Sequence, residues 1–495
     1  MRYFIITYGC QMNKSDGERI ASVLEKIGYK LASCKEEADL IVVNACTVRQ
    51  SAVDRVYGQT QFFDKLKKKG KKIKTVLTGC ILPKDRKKLA NHFDLILDIK
   101  DLPKLPQKLA NLSFRNLNKS NSDPDPKSRE TQIGTSPKRP SSFNKKGCPE
   151  GDSARAKRVP IWSNPNLSTK NYLHIQPKYS NKISVYVPIM TGCNNFCSYC
   201  VVPYTRGREV SRPSEEIIRE IRDLIKRDYK EIILLGQNVN SYINPSRIKT
   251  NKNTNDFAQL LEEINDIPGK FWVFFTSSHP KDFSQELIDV IAKGEKICKY
   301  IHLPAQSGDN KILKKMNRGY TTKYFRELIR DIRNRIPGVS VSTDIIVGFP
   351  GETEKQFEGT LGLLKEVKFD MAYIARYSPR EGTQSARLKD NISQEEKKRR
   401  ENVLTDVLKK TALENNKELV GKEMEVLVKG VKNICVHSSS NSCKLVYYGK
   451  TRGFKDILIT NRYKSNTNKH ELVGEFIKIK VTEATPWGLK GRRIS

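Results

Sequence analysis

The sequence predicts an α/β protein in three parts: an N-terminal open parallel α/β domain, a partial (β/α)6 TIM-like barrel and a small C-terminal all-β barrel. Three observations carry this. Apolar strand-like runs alternate with helical patterns over the first hundred residues and again from 182 to about 376, the signature of parallel sheets. Cysteines or polar loop motifs follow nearly every strand-like run, and parallel sheets gather their ligands at the carboxyl ends of strands. Beyond residue 421 the chain breaks into short strand-like runs separated by glycines and polar turns.

In the first part, the strand-like runs are Tyr3–Thr7, Leu40–Asn44 and Thr75–Thr78, with helical patterns near 16–28, 49–68 and 84–92. Each strand leads into a cysteine, in Thr7-Tyr-Gly-Cys10, Val43-Asn-Ala-Cys46 and Leu77-Thr-Gly-Cys80. Strand ends of a parallel sheet share one edge, so these cysteines can meet there although they lie 36 and 34 residues apart. Three buried structural thiols are the plain alternative. The same placement three times over favours a three-cysteine ligand site.

Residues 111–180 change character. They are rich in Asn, Ser, Pro and Lys, with 13 Lys+Arg against 5 Asp+Glu, and periodicity is lost. The stretch reads as a basic low-complexity linker, with Cys148 a bystander within it.

Six β/α units follow. The strands are Ile183–Ile189, Glu231–Gly236, Phe271–Thr276, Lys299–Leu303, Ser340–Val347 and Met371–Arg376. Helical patterns lie near 214–228, 256–265, 283–293, 308–316, 321–334 and 353–367, and a charged helix over about 393–417 leads out. The unusual residues sit where barrels carry their chemistry, after the strands. After strand one comes Met190-Thr-Gly-Cys193-Asn-Asn-Phe-Cys197-Ser-Tyr-Cys200. A four-iron cluster takes four cysteines. Three leave one iron open, and an open metal position is where chemistry takes place. Zinc knuckles usually pair C-x2-C motifs with a fourth Cys or His close by, and this sequence has none near the triplet.

The tail, 421–495, carries 15 Lys+Arg against 6 acids. Its strand-like runs are Met424–Lys429, Lys444–Tyr448, Asp456–Ile459, Gly474–Thr482 and Leu489–Arg492. Basic charge with Phe454, Tyr463 and Trp487 suits RNA contact through phosphates and stacking, while each aromatic is also an ordinary core residue. Cys435, His437 and Cys443 form a weaker candidate for zinc. Over all 495 residues the formal net charge is +35, which calls for a polyanionic partner, nucleic acid first. Eleven cysteines in a chain of this length do not make a disulfide scaffold. Met1 runs straight into a strand and no apolar run reaches about 18 residues. A signal peptide and a membrane span are therefore not expected, and a reducing cytoplasm is.

These motifs together resemble one family, the radical S-adenosylmethionine (SAM) methylthiotransferases. The resemblance rests on Thr7-Tyr-Gly-Cys-Gln-Met-Asn, Asn44-Ala-Cys-Thr-Val-Arg, the cysteine triplet, and Cys200-Val-Val-Pro-Tyr-Thr-Arg-Gly-Arg-Glu-Val-Ser-Arg-Pro213. Leu235-Gly-Gln-Asn-Val-Asn-Ser-Tyr242, Ser277-Ser-His-Pro, Leu303-Pro-Ala-Gln-Ser-Gly and Ile345-Ile-Val-Gly-Phe-Pro-Gly-Glu-Thr add to it. It implies a methylthiotransferase N-terminal domain at 1–110, a linker at 111–180, a radical SAM domain at 181–418 and a TRAM-like RNA-binding domain at 419–495.

The resemblance further implies two [4Fe–4S] clusters and SAM. Cys10, Cys46 and Cys80 would hold the cluster that supplies sulfur. Cys193, Cys197 and Cys200 would hold the one that cleaves SAM to a 5′-deoxyadenosyl radical. Gln237, Asn238, Gln306 and Asp344 are the expected SAM contacts. The implied substrate is tRNA carrying N6-dimethylallyladenosine next to the anticodon. The implied electron donor is a flavodoxin or ferredoxin, and a monomer is expected. Sister enzymes acting on N6-threonylcarbamoyladenosine or on a ribosomal-protein aspartate are the alternatives, as is a non-catalytic iron–sulfur RNA-binding protein. The sequence departs from the family pattern at Ile81-Leu82-Pro83, at Arg380-Glu-Gly-Thr and in its long linker.

Overall fold

The structure, a computed structural model, describes residues 1–46, 50–115, 172–246, 256–435, 443–460 and 471–494. Its first sheet comprises β1 (Arg2–Tyr8), β2 (Lys30–Leu31), β3 (Leu40–Cys46), β4 (Lys74–Cys80) and β5 (Leu95–Ile96). The order is β2-β1-β3-β4-β5 and every pairing is parallel. β3 is buried along its whole length, as expected for a central strand covered on both faces. Leu40 and Val42 pack with Ile20 and Leu24 on one face. Ile41 and Val43 pack with Val56 and Phe63 on the other.

The basic stretch expected over 111–180 begins and ends in ordered structure. A helix spans Leu105–Arg115, and Leu105, Leu109 and Leu112 lie in the N-terminal core at the i, i+4, i+7 spacing of one helical face. Tyr172 and Leu173 are buried in the same core, and Lys178 N–H donates to the Glu18 carbonyl at 3.0 Å. Burial of these apolar side chains outweighs the polar composition around them. Cys148 lies outside the described residues.

The second part holds β6 (Ser184–Pro188), β7 (Met190–Thr191), β8 (Val210–Ser211), β9 (Glu231–Leu235), β10 (Trp272–Phe275), β11 (Tyr300–His302), β12 (Ser340–Val347) and β13 (Met371–Arg376). The six expected barrel strands form two parallel sheets, β6-β9-β10 and β11-β12-β13. A parallel bridge between Val273 and Ile297 joins them. Alternate residues divide the two faces. Ile232, Leu234, Val273, Phe275 and Ile301 pack outward on the helices. Ile233, Leu235, Trp272, Phe274 and Tyr300 form a second, inner cluster. That cluster takes in Met12 from the N-terminal domain and Leu427 from the tail.

The third part is a closed barrel of β14 (Glu423–Cys435), β15 (Cys443–Thr451), β16 (Asp456–Ile459), β17 (Phe476–Thr485) and β18 (Gly488–Arg493), in the order β14-β15-β16-β18-β17. It packs against the amino-terminal ends of the larger barrel's strands. Lys429 pairs with buried Glu231 at 2.6 Å, Lys455 with Asp370 at 2.5 Å, and Phe476 meets Trp272 at 4.9 Å between ring centroids. The α/β class with its three parts is as the sequence predicts. Cys435 and Cys443 are register partners across β14 and β15. His437 and Tyr463 lie outside the described residues. Among the described residues no helix is long and apolar enough to cross a membrane.

Candidate functional site

Two of the N-terminal cysteines meet because parallel register aligns their strands, and the third, Cys10, stands close enough to feel Cys80 electrostatically. β3 and β4 pair so that Cys46 stands opposite Cys80, and the two side chains are hydrogen-bonded. The approach is tight: Gly79 has φ +109°, and a Cβ there would lie 2.2 Å from the Ala45 carbonyl oxygen, so only glycine fits. Cys10 stands at the start of the helix Gln11–Lys26. Its N–H donates to Asn13 Oδ1 at 3.3 Å. Asn44 Nδ2 donates to the Asn13 carbonyl at 2.7 Å, fixing the end of β3 against this helix.

Two residues that sequence reasoning missed complete this corner. Arg206 reaches across from the second part. Its Nε donates to Cys80 Sγ at 2.9 Å and its Nη2 to Asp16 Oδ2 at 2.6 Å. Both side chains are buried. Burial alone would lower the guanidinium's pKa, but Asp16 and the thiols of Cys80 and Cys10 hold it well above its ordinary value. The Cys80 thiol is pushed up by its bond to Cys46 and by burial, with Arg206 opposing. Lys100 comes close as well: its Nζ lies 2.7 Å from where a Cβ of Gly207 would stand. Arg206 falls within the run that carried the family resemblance, yet nothing in a linear sequence pairs it with a cysteine 126 residues earlier.

The second cysteine set sits on the loop after β7, and the antiparallel pairing of β7 with β8 clamps that loop at its base. Gly192 has φ +84°, and a Cβ there would strike the Arg208 carbonyl oxygen at 2.0 Å. Phe196, at φ +47°, is held in this strained turn by Asn317. The Asn317 Nδ2 donates to the carbonyls of Asn195 at 3.2 Å and Phe196 at 3.1 Å. Buried Arg318 donates through Nη1 to Cys197 Sγ at 3.3 Å and through Nη2 to the Pro304 carbonyl at 3.0 Å. Burial raises the Cys193 thiol to about 11 and the Cys200 thiol to about 12, and the neighbouring thiols add to both shifts.

Of the expected SAM contacts, Gln237, Asn238 and Gln306 lie on loops beyond the strands, while Asp344, expected at a strand end, lies within β12. Gln237 Oε1 accepts from the Gly192 N–H at 2.6 Å, beside Cys193. Asn238 Nδ2 donates to Asp282 at 2.7 Å. Gln306, at φ +66°, is tied by its backbone to Asp344 at 2.8 Å, and Asp344 Oδ2 lies 3.5 Å from His302 Nε2. Asn238 Oδ1, Ser278 Oγ, His279 Nε2 and Gln306 Oε1 are buried with no hydrogen-bond partner. Buried polar atoms are nearly always paired. Four such atoms on the loops after β9, β10 and β11 fit a polar ligand such as SAM. Among the described residues no group of three His, Cys, Asp or Glu side chains closes on a single metal ion. A cluster asks instead for thiolates on separate irons, which fits the donor chemistry of both cysteine sets.

Residues 187–364 match the radical SAM superfamily, and residues 2–98 match an uncharacterized protein family, UPF0004. A tRNA-2-methylthio-N(6)-dimethylallyladenosine synthase from Carboxydothermus hydrogenoformans is 38% identical, covering 99% of this chain and 98% of its own. The chain belongs to this synthase family. The synthase of Syntrophomonas wolfei is 39% identical, covering 99% of this chain and 97% of its own. A solved radical S-adenosylmethionine methyltransferase from Kitasatospora setae is 13% identical with a TM-score of 0.48, covering 90% of this chain and 80% of its own.

Within this synthase chain the two local departures have structural roles. Ile81 and Leu82 are buried, and Leu82 precedes the helix Pro83–Leu89 at its N-cap. Glu381 pairs with Lys84 of the N-terminal domain. Burial lowers the neighbouring Arg380 guanidinium, and Asp85, Asp54 and Cys46 oppose that shift.

Proposed function

We propose that the two cysteine sets divide the labour of one reaction. The chain is a transferase of the synthase family. It adds a 2-methylthio group to N6-dimethylallyladenosine in tRNA, using two [4Fe–4S] clusters and SAM. In this reading Cys10, Cys46 and Cys80 of the 1–110 domain hold the sulfur-donating cluster. Cys193, Cys197 and Cys200 of the 181–418 domain hold the cluster that works on SAM. When bound, these groups supply one-electron chemistry and a sulfur atom for transfer.

The protein's own residues supply position. Gln237, Asn238, Gln306 and Asp344 orient SAM by hydrogen bonds, and Ser278 and His279 offer further polar atoms. Arg318 keeps the Cys197 loop against Pro304. The apolar inner cluster below excludes water. The 419–495 domain, TRAM-like in this reading, presents its exposed basic residues and Trp487 to tRNA next to the anticodon. A flavodoxin or ferredoxin supplies electrons, and the chain works as a monomer in the cytoplasm.

The observation that supports this most is the Arg206–Cys80 hydrogen bond, made from the loop that carries the second cysteine set. It joins the segment that carries the second set to one cysteine of the first. Nucleoside mass spectrometry of tRNA from cells lacking the protein tests the reading. N6-dimethylallyladenosine should accumulate while its 2-methylthio form disappears. An unchanged nucleoside profile would overturn it.

A further inference from the structure

We infer that Arg206 is a positioning residue that holds the N-terminal cluster through Cys80 and sets its reduction potential. The inference rests on the reading of Cys10, Cys46 and Cys80 as that cluster's ligands. Three observations carry it. The side chain is 3% exposed, and a charge in so dry a place acts with little screening. It aims Nε at Cys80 Sγ and Nη2 at Asp16. Its Nη1, like Asp16 Oδ1 and Thr78 Oγ1 nearby, is buried with no partner. The guanidinium thus presents a further donor in a corner that already holds three thiols.

Hydrogen bonds to sulfur and local net charge are what set the potential of a cluster. A cation with an N–H···S contact stabilises the reduced, more negative state, and therefore raises the potential. Asp16 pulls the other way. Arg206 is also joined to Cys200 by only Val201 and a four-residue helix, Val202–Thr205, within the loop clamped by β7 and β8. The segment that holds the second cysteine set therefore delivers the charge felt by the first. A purely structural role, as a buried ion pair fastening two domains, would not act on the potential.

The test uses the full-length chain with Cys193, Cys197 and Cys200 replaced by Ala, so that only the N-terminal cluster gives a signal. Its midpoint potential is read by EPR during redox titration. Arg206→Met should lower the ratio of reduced to oxidised cluster at a fixed potential about tenfold, which is about 59 mV for a one-electron couple. Arg206→Lys should restore most of that loss. Asp16→Asn should shift the midpoint in the opposite direction. An unchanged midpoint in Arg206→Met with full iron content overturns the inference. If Arg206→Met cannot retain iron, Asp16→Asn decides: a midpoint that does not rise overturns it. A parent protein that binds no iron overturns the ligand assignment itself, a result distinct from an unchanged potential.

Discussion

Tyr300 and Phe454 stack with ring centroids 4.7 Å apart and planes 27° from parallel. Tyr300 stands on β11, and Phe454 lies in the turn between β15 and β16. Phe454 also meets Phe274 at 4.9 Å, and Lys450 Nζ lies 3.9 Å over its ring. An aromatic that the sequence offered as an RNA platform is therefore a seal across the floor of the larger barrel. Trp487, at 46% exposure, keeps the platform reading.

The two aromatics should separate in experiment. Phe454→Ala should cost about 3–5 kcal/mol of stability, as large-to-small changes in packed aromatic sites do. Trp487→Ala should change stability by less than about 0.5 kcal/mol. It should weaken tRNA binding by about 1–3 kcal/mol if one base stacks there. Urea unfolding and filter binding on the same preparations read both. Equal tRNA affinity with and without the Trp487 ring would remove it from the interface.

The cysteine sets should separate in the same way. Replacing Cys193, Cys197 and Cys200 with Ala should leave about half the iron of the reconstituted protein, at four irons per cluster, and abolish SAM cleavage. Replacing Cys10, Cys46 and Cys80 should leave reductive SAM cleavage in place and remove methylthiolation. Iron analysis with assays for 5′-deoxyadenosine and modified nucleoside covers both. Thiomethylated tRNA from the second variant would sink the sulfur-donor role.

Lys429 should behave as a structural cation. It is bound to buried Glu231 and to Ser184, so it is not placed to grip phosphate. Lys429→Ala should cost about 3–5 kcal/mol by stranding a buried carboxylate. Lys429→Met combined with Glu231→Gln should recover much of that loss. The salt dependence of tRNA binding, which counts neutralised phosphates, should keep its slope in the double variant. A flatter slope would show that this lysine does reach the nucleic acid.

His279 should make the fold acid-sensitive. Burial, then Arg318 and Lys281, lower its pKa from 6.5 to about 2. The unfolded chain therefore binds a proton that the folded one refuses. Stability from this group is fully present above pH 6.5 and declines as pH falls toward 2. Between pH 7 and 5 the loss is about 2 kcal/mol. His279→Asn retains an acceptor for the Lys281 N–H that Nδ1 now takes, and it should flatten the profile by that amount. Denaturant midpoints of the two proteins at pH 7 and 5 measure this, and parallel profiles would refute it.

Much of the fold was legible because the strands carry their own signal. Glu231–Leu235 and Trp272–Phe275 are buried end to end and read as apolar runs. β2 and β5 escaped notice because two residues hold no periodicity. The helix Leu105–Arg115 escaped because its leucines are set among Asn, Gln and Lys. The cysteines stood out because thiols at strand ends are chemically conspicuous. Arg206, Asp16 and Arg318 did not, since a charged side chain becomes a site residue only through where the finished fold puts it. Gln237 is expected as a ligand contact, and the fold also employs it to brace the Gly192 turn.

The span between Cys80 and Arg206 has a bearing on biosynthesis. Chains emerge from the ribosome N-terminus first, and domains tend to fold as they emerge. When the N-terminal sheet is complete, Cys10, Cys46 and Cys80 are already aligned, but the guanidinium that completes their corner has not been made. Arg206 lies 126 residues beyond Cys80, so synthesis must pass through the whole of the intervening basic stretch before it arrives. If the first cysteine set holds a cluster, as proposed, it begins as an open corner, accessible to whatever delivers iron and sulfide. It is closed over only when the second domain docks and brings its own cysteines with it.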